Sequence, residues 1–221
     1  LTITALSLFL QKNLRKIFAP VISKLYSEGN FTELNNLYKQ TTFLISLFTI
    51  PLAILIIFFS EEILNFFSTT GDLIIYKPYL ITIMLARLIS LLAGSSGTFM
   101  IMAGLEQKEL ELQSIKAVLI ISLALLFVKK YELLAIVSLY MISIIFVAII
   151  QLVHIYKKIN ISPFSKELLY LILVSVPIIW FSIDQNYGFQ FYHYFIIPII
   201  VYLMYFSIMY YPLKKLIKEL L

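Results

Sequence analysis

The sequence predicts an all-α integral membrane protein, and its composition and charge pattern support this fold class. Of its 221 residues, 61% are hydrophobic and only 13% are charged, with a mean hydropathy of +0.96. A water-soluble domain is about 45–50% apolar and about 25% charged, so a soluble enzyme and a disordered segment are excluded. The chain contains no cysteine, which excludes a disulfide-stapled secreted domain and thiolate chemistry.

Charged residues divide the chain into six predicted full spans, preceded by the end of a seventh helix. These segments are 1–17 (partial), 40–60, 78–105, 110–128, 133–153, 165–183 and 194–213. Each full span has a length close to or above the roughly 20 mostly apolar residues that a membrane-crossing helix needs. The first is uncharged from Gln40 to Ser60, and the second contains only Arg87 as a charge. The third is long enough only if Lys116 extends its side chain towards a membrane surface.

The last three spans are justified by length and by flanking aromatic residues. Segment 133–153 is uncharged throughout, whereas 165–183 needs flanking residues such as Phe164 to reach full length. Segment 194–213 is bracketed by aromatic side chains of the kind that lie at membrane interfaces. These are Trp180, Tyr187, Phe189, Phe191, Tyr192, Tyr210 and Tyr211.

The apolar start of the chain is interpreted as the inner end of a helix whose beginning is missing. Leu1 to Leu10 is only half a span and lacks an initiating Met. A short signal-like segment is the alternative, but no small-residue cleavage site follows it. We therefore expect residues 1–221 to be one transmembrane lobe of a longer protein.

The distribution of basic residues predicts the orientation. With the connection from Lys12 to Lys39 placed in the cytoplasm, 13 basic residues lie inside, 3 lie outside and Arg87 lies within the membrane, which accounts for all 17. The positive-inside rule strongly favours this arrangement over its reverse. The net charge of +5 is then a topology signal that requires no nucleic acid, and the C-terminus of this multi-pass protein lies in the cytoplasm.

The long inner connection carries a predicted helix start. Asn30 and Glu33 have the spacing of a capping box. Phe31, Leu34, Leu37 and Tyr38 then share one helical face, as expected for a helix that lies on the inner membrane surface.

Residues for enzymatic chemistry are nearly absent. His154 and His193 fall on opposite sides of the membrane, so they cannot share a metal ion or a catalytic triad. We expect no catalytic residues, no metal and no cofactor. The acidic residues Glu106, Glu109 and Glu111 lie at a membrane edge, where solvation is the expected state. The prediction is a protein that is not an enzyme.

Arg87 is the exceptional charge, because it lies about ten residues into a span, where insertion costs roughly 2.5–3.5 kcal/mol. Such a residue commonly faces a cavity or substrate path. Ser90 and Gly94 lie within two helical turns of Arg87 in the same span. Arg87, Ser90 and Gly94 are therefore the candidate substrate-binding residues. The alternative is a structural arginine that pairs with a carbonyl or extends to the surface.

Small residues and prolines provide candidate kink positions. Ala86, Ser90, Ala93 and Gly97 form a stripe that permits close helix approach, although the run from Gly94 to Gly97 is equally a candidate hinge. The other candidate kinks are Pro51, Pro177 and Pro198, because proline removes a helix hydrogen bond.

One part of the sequence resembles a known transporter family. The run Phe18-Ala-Pro20-Val-Ile-Ser23-Lys-Leu-Tyr26 is followed by a span containing Pro51 and then by Glu62-Ile-Leu-Asn-Phe-Phe67. Together with Gly104, this order resembles polysaccharide (O-antigen type) flippases of the multidrug/oligosaccharidyl-lipid/polysaccharide (MOP) superfamily. The resemblance covers roughly residues 18–112.

The resemblance implies the C-terminal, MATE-like lobe of a fourteen-helix transporter in the cell (plasma or inner) membrane. Its substrate would be a polyprenyl-pyrophosphate-linked oligosaccharide, flipped by alternating access between this lobe and a missing N-terminal lobe. Arg87 is then the candidate for a phosphate contact, because a guanidinium pairs with phosphate through two hydrogen bonds; this assignment rests on its position within the span, since no family motif fixes it. The alternatives are a multidrug or lipid II exporter of the same superfamily and, with less support, a membrane glycan ligase or polymerase. The multidrug alternative is disfavoured because no predicted span has Asp or Glu near its centre.

Overall fold

A computed structural model describes residues 2–68, 72–94 and 96–183, together with the single positions 203, 207 and 210. The described part of the chain is helical and contains no strand. The predicted span 194–213, with Pro198 and His193, lies outside the described residues except for those single positions. The helices are α1 (Thr2–Ser27), α2 (Phe31–Phe58), α3 (Ser60–Phe67), α4 (Lys77–Leu92), α5 (Ser96–Met102), α6 (Glu106–Ile159) and α7 (Lys166–Ile183).

A tight turn joins α1 to α2, and the predicted cap is present. Gly29 has φ +69°, which favours glycine. Asn30 Oδ1 accepts a hydrogen bond from the Glu33 backbone N–H at 3.2 Å, and Asn30 Nδ2 donates to Glu33 Oε2 at 2.7 Å. The first bond satisfies a backbone N–H at the start of α2 and forms the N-cap. The reciprocal backbone bond of a capping box is absent, because the Asn30 backbone N–H donates to the Leu25 carbonyl at 3.0 Å instead.

The prediction of a separate helix on the inner membrane surface is wrong. Helix α2 is continuous from its cap to Phe58, and Leu34 and Tyr38 are fully buried. They pack in a core with α1, α5 and the end of α6, which includes Ile22 and Ile155. Apolar residues on one helical face look the same in sequence whether a membrane surface or a protein core covers them.

The segment predicted as one span at 78–105 consists of two helices. The chain leaves α4 through Ala93 and Gly94 and continues as α5. Gly94 has φ +67°, a left-handed conformation that is common at helix ends and that glycine adopts at low cost. Tyr38 Oη, from α2, donates to the Ala93 carbonyl at 2.8 Å and satisfies a backbone acceptor at the break.

Helix α6 folds back on itself near its middle. Glu132 has φ 46° and ψ −126°, and this kink divides α6 into a first arm, 106–131, and a second arm, 133–159. Glu109 of the first arm contacts Gln151 of the second, so the arms are antiparallel. The two predicted spans 110–128 and 133–153 lie one in each arm.

Helices α2 and α7 each run through a proline. Pro51 is buried inside α2, and Pro177 lies inside α7, whose residues Leu168 and Leu171 pack on the α2 core. Within the described residues, three segments are long and apolar enough to cross a bilayer: Phe31–Phe58, Asp72–Met102 and Glu106–Ile159. Because α6 forms a hairpin, the third of these segments consists of two arms.

Candidate functional site

A polar cavity of about 290 Å³ lies between the α4–α5 segment and both arms of α6. Its lining includes Arg87, Ser90 and Gly94, the three residues that the sequence predicts for substrate binding. These residues come from one segment of the chain, and the tertiary fold adds a second wall from α6. The cavity therefore brings the predicted residues together with polar groups that are distant in sequence.

Arg87 is held by an aromatic residue of the second arm of α6. Its Nη2 donates to Tyr140 Oη, and its Cζ lies 5.2 Å from the centre of the Tyr140 ring. A guanidinium over a ring face gains cation–π attraction. Arg87 thus donates to a tyrosine hydroxyl instead of the carbonyl that the alternative predicted. Its buried Nε–H remains without a hydrogen-bond partner in the described part of the chain.

Lys116 is a second cation in the cavity lining, and it is partly buried. Arg87 is ten residues after the start of α4, and Lys116 is ten residues after the start of α6. At 1.5 Å per residue, each lies about 15 Å from the start of its helix. The sequence predicted that Lys116 extends its side chain towards a membrane surface, and it did not identify Lys116 as a residue that lines a cavity.

Glu109 is buried, and the expectation that it is solvated at a membrane edge is wrong. Only 8% of its surface is exposed. Gln151 Nε2 donates to both carboxylate oxygens, at 2.9 Å and 2.7 Å, and Gln113 Nε2 donates to Oε1 at 2.8 Å. Ser96 Oγ, at the start of α5, donates to Gln151 Oε1 at 2.7 Å. A buried carboxylate is tolerable when donors surround it in this way.

Two glycines allow the walls of the cavity to approach each other. A Cβ on Gly94 would overlap Thr42 Oγ1 of α2, and a Cβ on Gly97 would come within 2.9 Å of Glu109 Oε1. Gly94 occupies the helix break itself, whereas Gly97, predicted as a kink, lies inside α5 against the Glu109–Gln151 pair. Pro51 and Pro177 do not line the cavity.

Sequence reasoning did not identify Glu109, Tyr140 and Gln151 as parts of the site, and it did not place Lys116 in the cavity lining. Gln151 offered a signal, because it is a polar residue inside the predicted span 133–153. Its partner could not be identified, since Glu109 is 42 residues away and meets it only through the α6 hairpin. Among the described residues, no group of three His, Cys, Asp or Glu side chains is arranged to hold a metal ion.

The fold and the cavity define a class: an all-α, multi-pass membrane protein with the architecture of a transporter lobe. Residues 14–107 match the MatE family model, which supports a membrane transporter of the MOP superfamily. The match covers one wall of the cavity, including Arg87, Ser90 and Gly94, and ends just inside α6. No curated protein and no solved structure is significantly similar to the chain.

Proposed function

We propose that this protein translocates lipid-linked oligosaccharide or polysaccharide repeat units across the cell membrane by alternating access. The MatE match supports transport, and the resemblance over residues 18–112 favours the polysaccharide branch. The excess of basic residues on one side favours an inner-membrane protein whose C-terminus lies in the cytoplasm. The proposal rests on one observation, namely the two cations that line the cavity without forming a salt bridge to a carboxylate of the described residues.

Arg87 and Lys116 both line the cavity, and neither forms a salt bridge with a carboxylate of the described residues. A cation within a membrane-spanning segment is costly unless an anion or a polar group compensates it. A pyrophosphate would supply that compensation, because guanidinium pairs with phosphate through two hydrogen bonds and ammonium acts as a point charge. The site therefore suits an anionic headgroup.

Glu109 lines the same cavity and offsets part of this positive charge. Its two oxygens accept three hydrogen bonds from the amides of Gln151 and Gln113, so it is satisfied without Arg87 or Lys116. The two cations outnumber this one carboxylate in the cavity lining, so the cavity keeps a net positive charge that would attract an anion. Ser90, in the same lining, supplies a hydroxyl that can donate to a phosphate or sugar oxygen.

The helix break gives the site a moving part under this proposal. Irregular backbone at membrane depth is tolerated where it lines a cavity, and transporters commonly bind substrate at broken helices near the midplane. Here α4 carries Arg87 and α5 carries Ser96, with Gly94 between them. Relative movement of α4 and α5 about Gly94 would open the cavity to either side in turn.

The test is export of surface polysaccharide by cells that make the full-length protein. We expect Arg87→Ala and Lys116→Ala to abolish export while the protein remains inserted at normal levels. Arg87→Lys should restore only part of the activity, because lysine keeps the charge and loses the two-pronged geometry. Lys108→Ala is the matched control, since Lys108 is exposed on the same arm and pairs with Glu111. Normal export by both cavity variants would refute the proposal.

A second candidate is export of an organic cation by a multidrug transporter, and Glu109 favours it. The sequence argument against this function was that no predicted span has Asp or Glu near its centre. Glu109 lies near the start of α6, but it is buried and lines the cavity, where a carboxylate could attract a cationic substrate. Glu109→Gln would then abolish resistance to cationic drugs. Under the flippase proposal, the same variant leaves drug susceptibility unchanged.

A further inference from the structure

A cavity of about 250 Å³ lies at the elbow between α6 and α7, apart from the polar cavity. The end of α6 forms one wall through Leu152, Val153, Tyr156 and Lys157, and the connection to α7 forms the other through residues 161–164. None of these residues lines the polar cavity. We name this second cavity the elbow groove.

The wall formed by residues 161–164 is fixed by contacts with the rest of the protein. Asn160 ends α6 in a left-handed conformation with φ 54°, and Ile161 is buried in a core shared by α1, α2 and α5. The Ser162 backbone N–H donates to Asn35 Oδ1 of α2 at 3.0 Å. The elbow groove is therefore preformed, as is usual for a site that binds a small ligand.

The surface of the elbow groove is mostly apolar, and its position suits a membrane interface. Val153, Tyr156 and Phe164 are 43%, 59% and 46% exposed, respectively. The uncharged segment 133–153 ends at the groove, and Lys157 follows one helical turn later. Aromatic side chains are enriched where a span meets the lipid headgroups. The groove thus extends from the hydrocarbon level to the headgroup level.

Lysine residues make the headgroup end of the groove positive. Lys157 lines the groove, Lys158 is exposed next to it in the chain, and Lys166 is exposed at the start of α7. The chain from 154 to 166 contains these three lysines and no Asp or Glu. None of the three forms a salt bridge in the described part of the chain. Ser162, also in the lining, supplies a hydroxyl that can donate to an anion.

We propose that the elbow groove binds an anionic phospholipid, with the phosphate at Lys157 and Ser162 and an acyl chain against Val153, Tyr156 and Phe164. The orientation predicted from the basic residues places this end of α6 at the cytoplasmic leaflet, whose anionic lipids attract lysine side chains. An acyl chain gains little by leaving lipid for an apolar groove, so the charge of the headgroup supplies the selectivity. The bound lipid would hold the end of α6 against the connection to α7. This site does not rest on the proposed function.

The test compares palmitoyl-oleoyl phosphatidylglycerol with the zwitterionic phosphatidylcholine that has the same chains. Native mass spectrometry of the purified full-length protein in detergent measures how much of each lipid binds. We expect the wild type to bind phosphatidylglycerol about fivefold more tightly, which corresponds to about 1 kcal/mol. Equal affinity of the wild type for the two lipids would overturn the proposal.

Lys157→Ala should remove the preference for phosphatidylglycerol. The matched control is Lys158→Ala, which removes the same charge at an adjacent exposed position that does not line the groove. This control should keep most of the preference. An equal loss in the two variants would mean that the lysines attract lipid diffusely, and no defined site would then exist at the groove.

Val153→Trp tests the placement of the acyl chain. Because Val153 is exposed, the larger side chain fills the groove without entering the core, and phosphatidylglycerol binding should fall to the level of phosphatidylcholine. Ile149→Trp is the control, since Ile149 is exposed one turn earlier on α6 and does not line the groove. Wild-type binding by Val153→Trp would contradict the proposal.

Other occupants of the elbow groove would give different results. If inorganic phosphate displaces phosphatidylglycerol from the wild type, the site recognises phosphate alone and the lipid assignment is wrong. If the wild type is a dimer that Val153→Trp converts to a monomer, the groove is an interface between two copies of the chain, and the proposal is overturned as well.

Discussion

Gln151 donates its side-chain amide to both carboxylate oxygens of Glu109, at 2.9 Å and 2.7 Å. These residues belong to opposite arms of the α6 hairpin, and Ser96 of α5 donates to the same glutamine. One buried amide therefore ties the two arms to each other and to the helix that follows the break. These hydrogen bonds hold together the part of the cavity lining that Ser96, Glu109 and Gln151 form.

Replacing Gln151 by Ala should destabilise the protein. The buried Glu109 would lose two of its three hydrogen bonds, and an unsatisfied buried polar group costs about 1–3 kcal/mol. Thermal unfolding of the purified protein in detergent measures the effect. Gln113→Ala is the control, since it removes one donor from the same carboxylate, and a shift as large as that of Gln151→Ala would contradict the assignment.

Tyr140→Phe should weaken pyrophosphate binding without affecting folding. The variant keeps the ring beneath Arg87 and removes the hydroxyl that accepts from its Nη2. A hydrogen bond to a charged group is worth about 1.5–3 kcal/mol, part of which holds the guanidinium in place, so we expect a loss of up to about tenfold in affinity. Titration calorimetry measures it. The control is Tyr131→Phe, at an exposed position of the same hairpin, which should bind pyrophosphate with the affinity of the wild type. Tighter pyrophosphate binding by Tyr140→Phe would instead show that the Tyr140 hydroxyl competes with the ligand for Arg87.

Gly94→Ala should be more destabilising than Gly104→Ala. Both glycines have positive φ, +67° and +69°, so both variants incur backbone strain of about 1–3 kcal/mol. A Cβ on Gly94 also overlaps Thr42 Oγ1, whereas a Cβ on Gly104 meets no atom within 4 Å. The difference between the two melting temperatures isolates the overlap. Adding Thr42→Ala should recover part of the loss at Gly94, and equal melting temperatures for the two glycine variants would exclude a close contact there.

Tyr38→Phe should loosen the break between α4 and α5. The Tyr38 hydroxyl donates to the buried Ala93 carbonyl at 2.8 Å, and removing it leaves an acceptor unsatisfied at a cost of about 1–3 kcal/mol. Hydrogen exchange should then become faster in residues 92–97 and change little in the first arm of α6. Tyr76→Phe, at an exposed position, serves as the control. Unchanged exchange at the break would mean that Tyr38 has no part in holding it.

The sequence by itself determined the membrane class, the position of the charge-free segments, the cap at Asn30 and the isolation of Arg87. Each of these depends on local composition or on spacing within one helix. A cation among apolar residues is visible without a fold, and so is an Asn–Glu pair three residues apart. The sequence also identified Ser90 and Gly94 because they lie within two helical turns of Arg87.

Only the tertiary structure decided what faces these residues. Glu109 looked like a surface carboxylate because its neighbours Glu106 and Glu111 are exposed, and only the α6 hairpin reveals that Gln151 covers it. Tyr140 is 53 residues from Arg87, and Tyr38 is 55 residues from Ala93. Hydropathy records how apolar a segment is, but it does not record which helix packs against it. The partners of a buried polar group are therefore set by long-range packing.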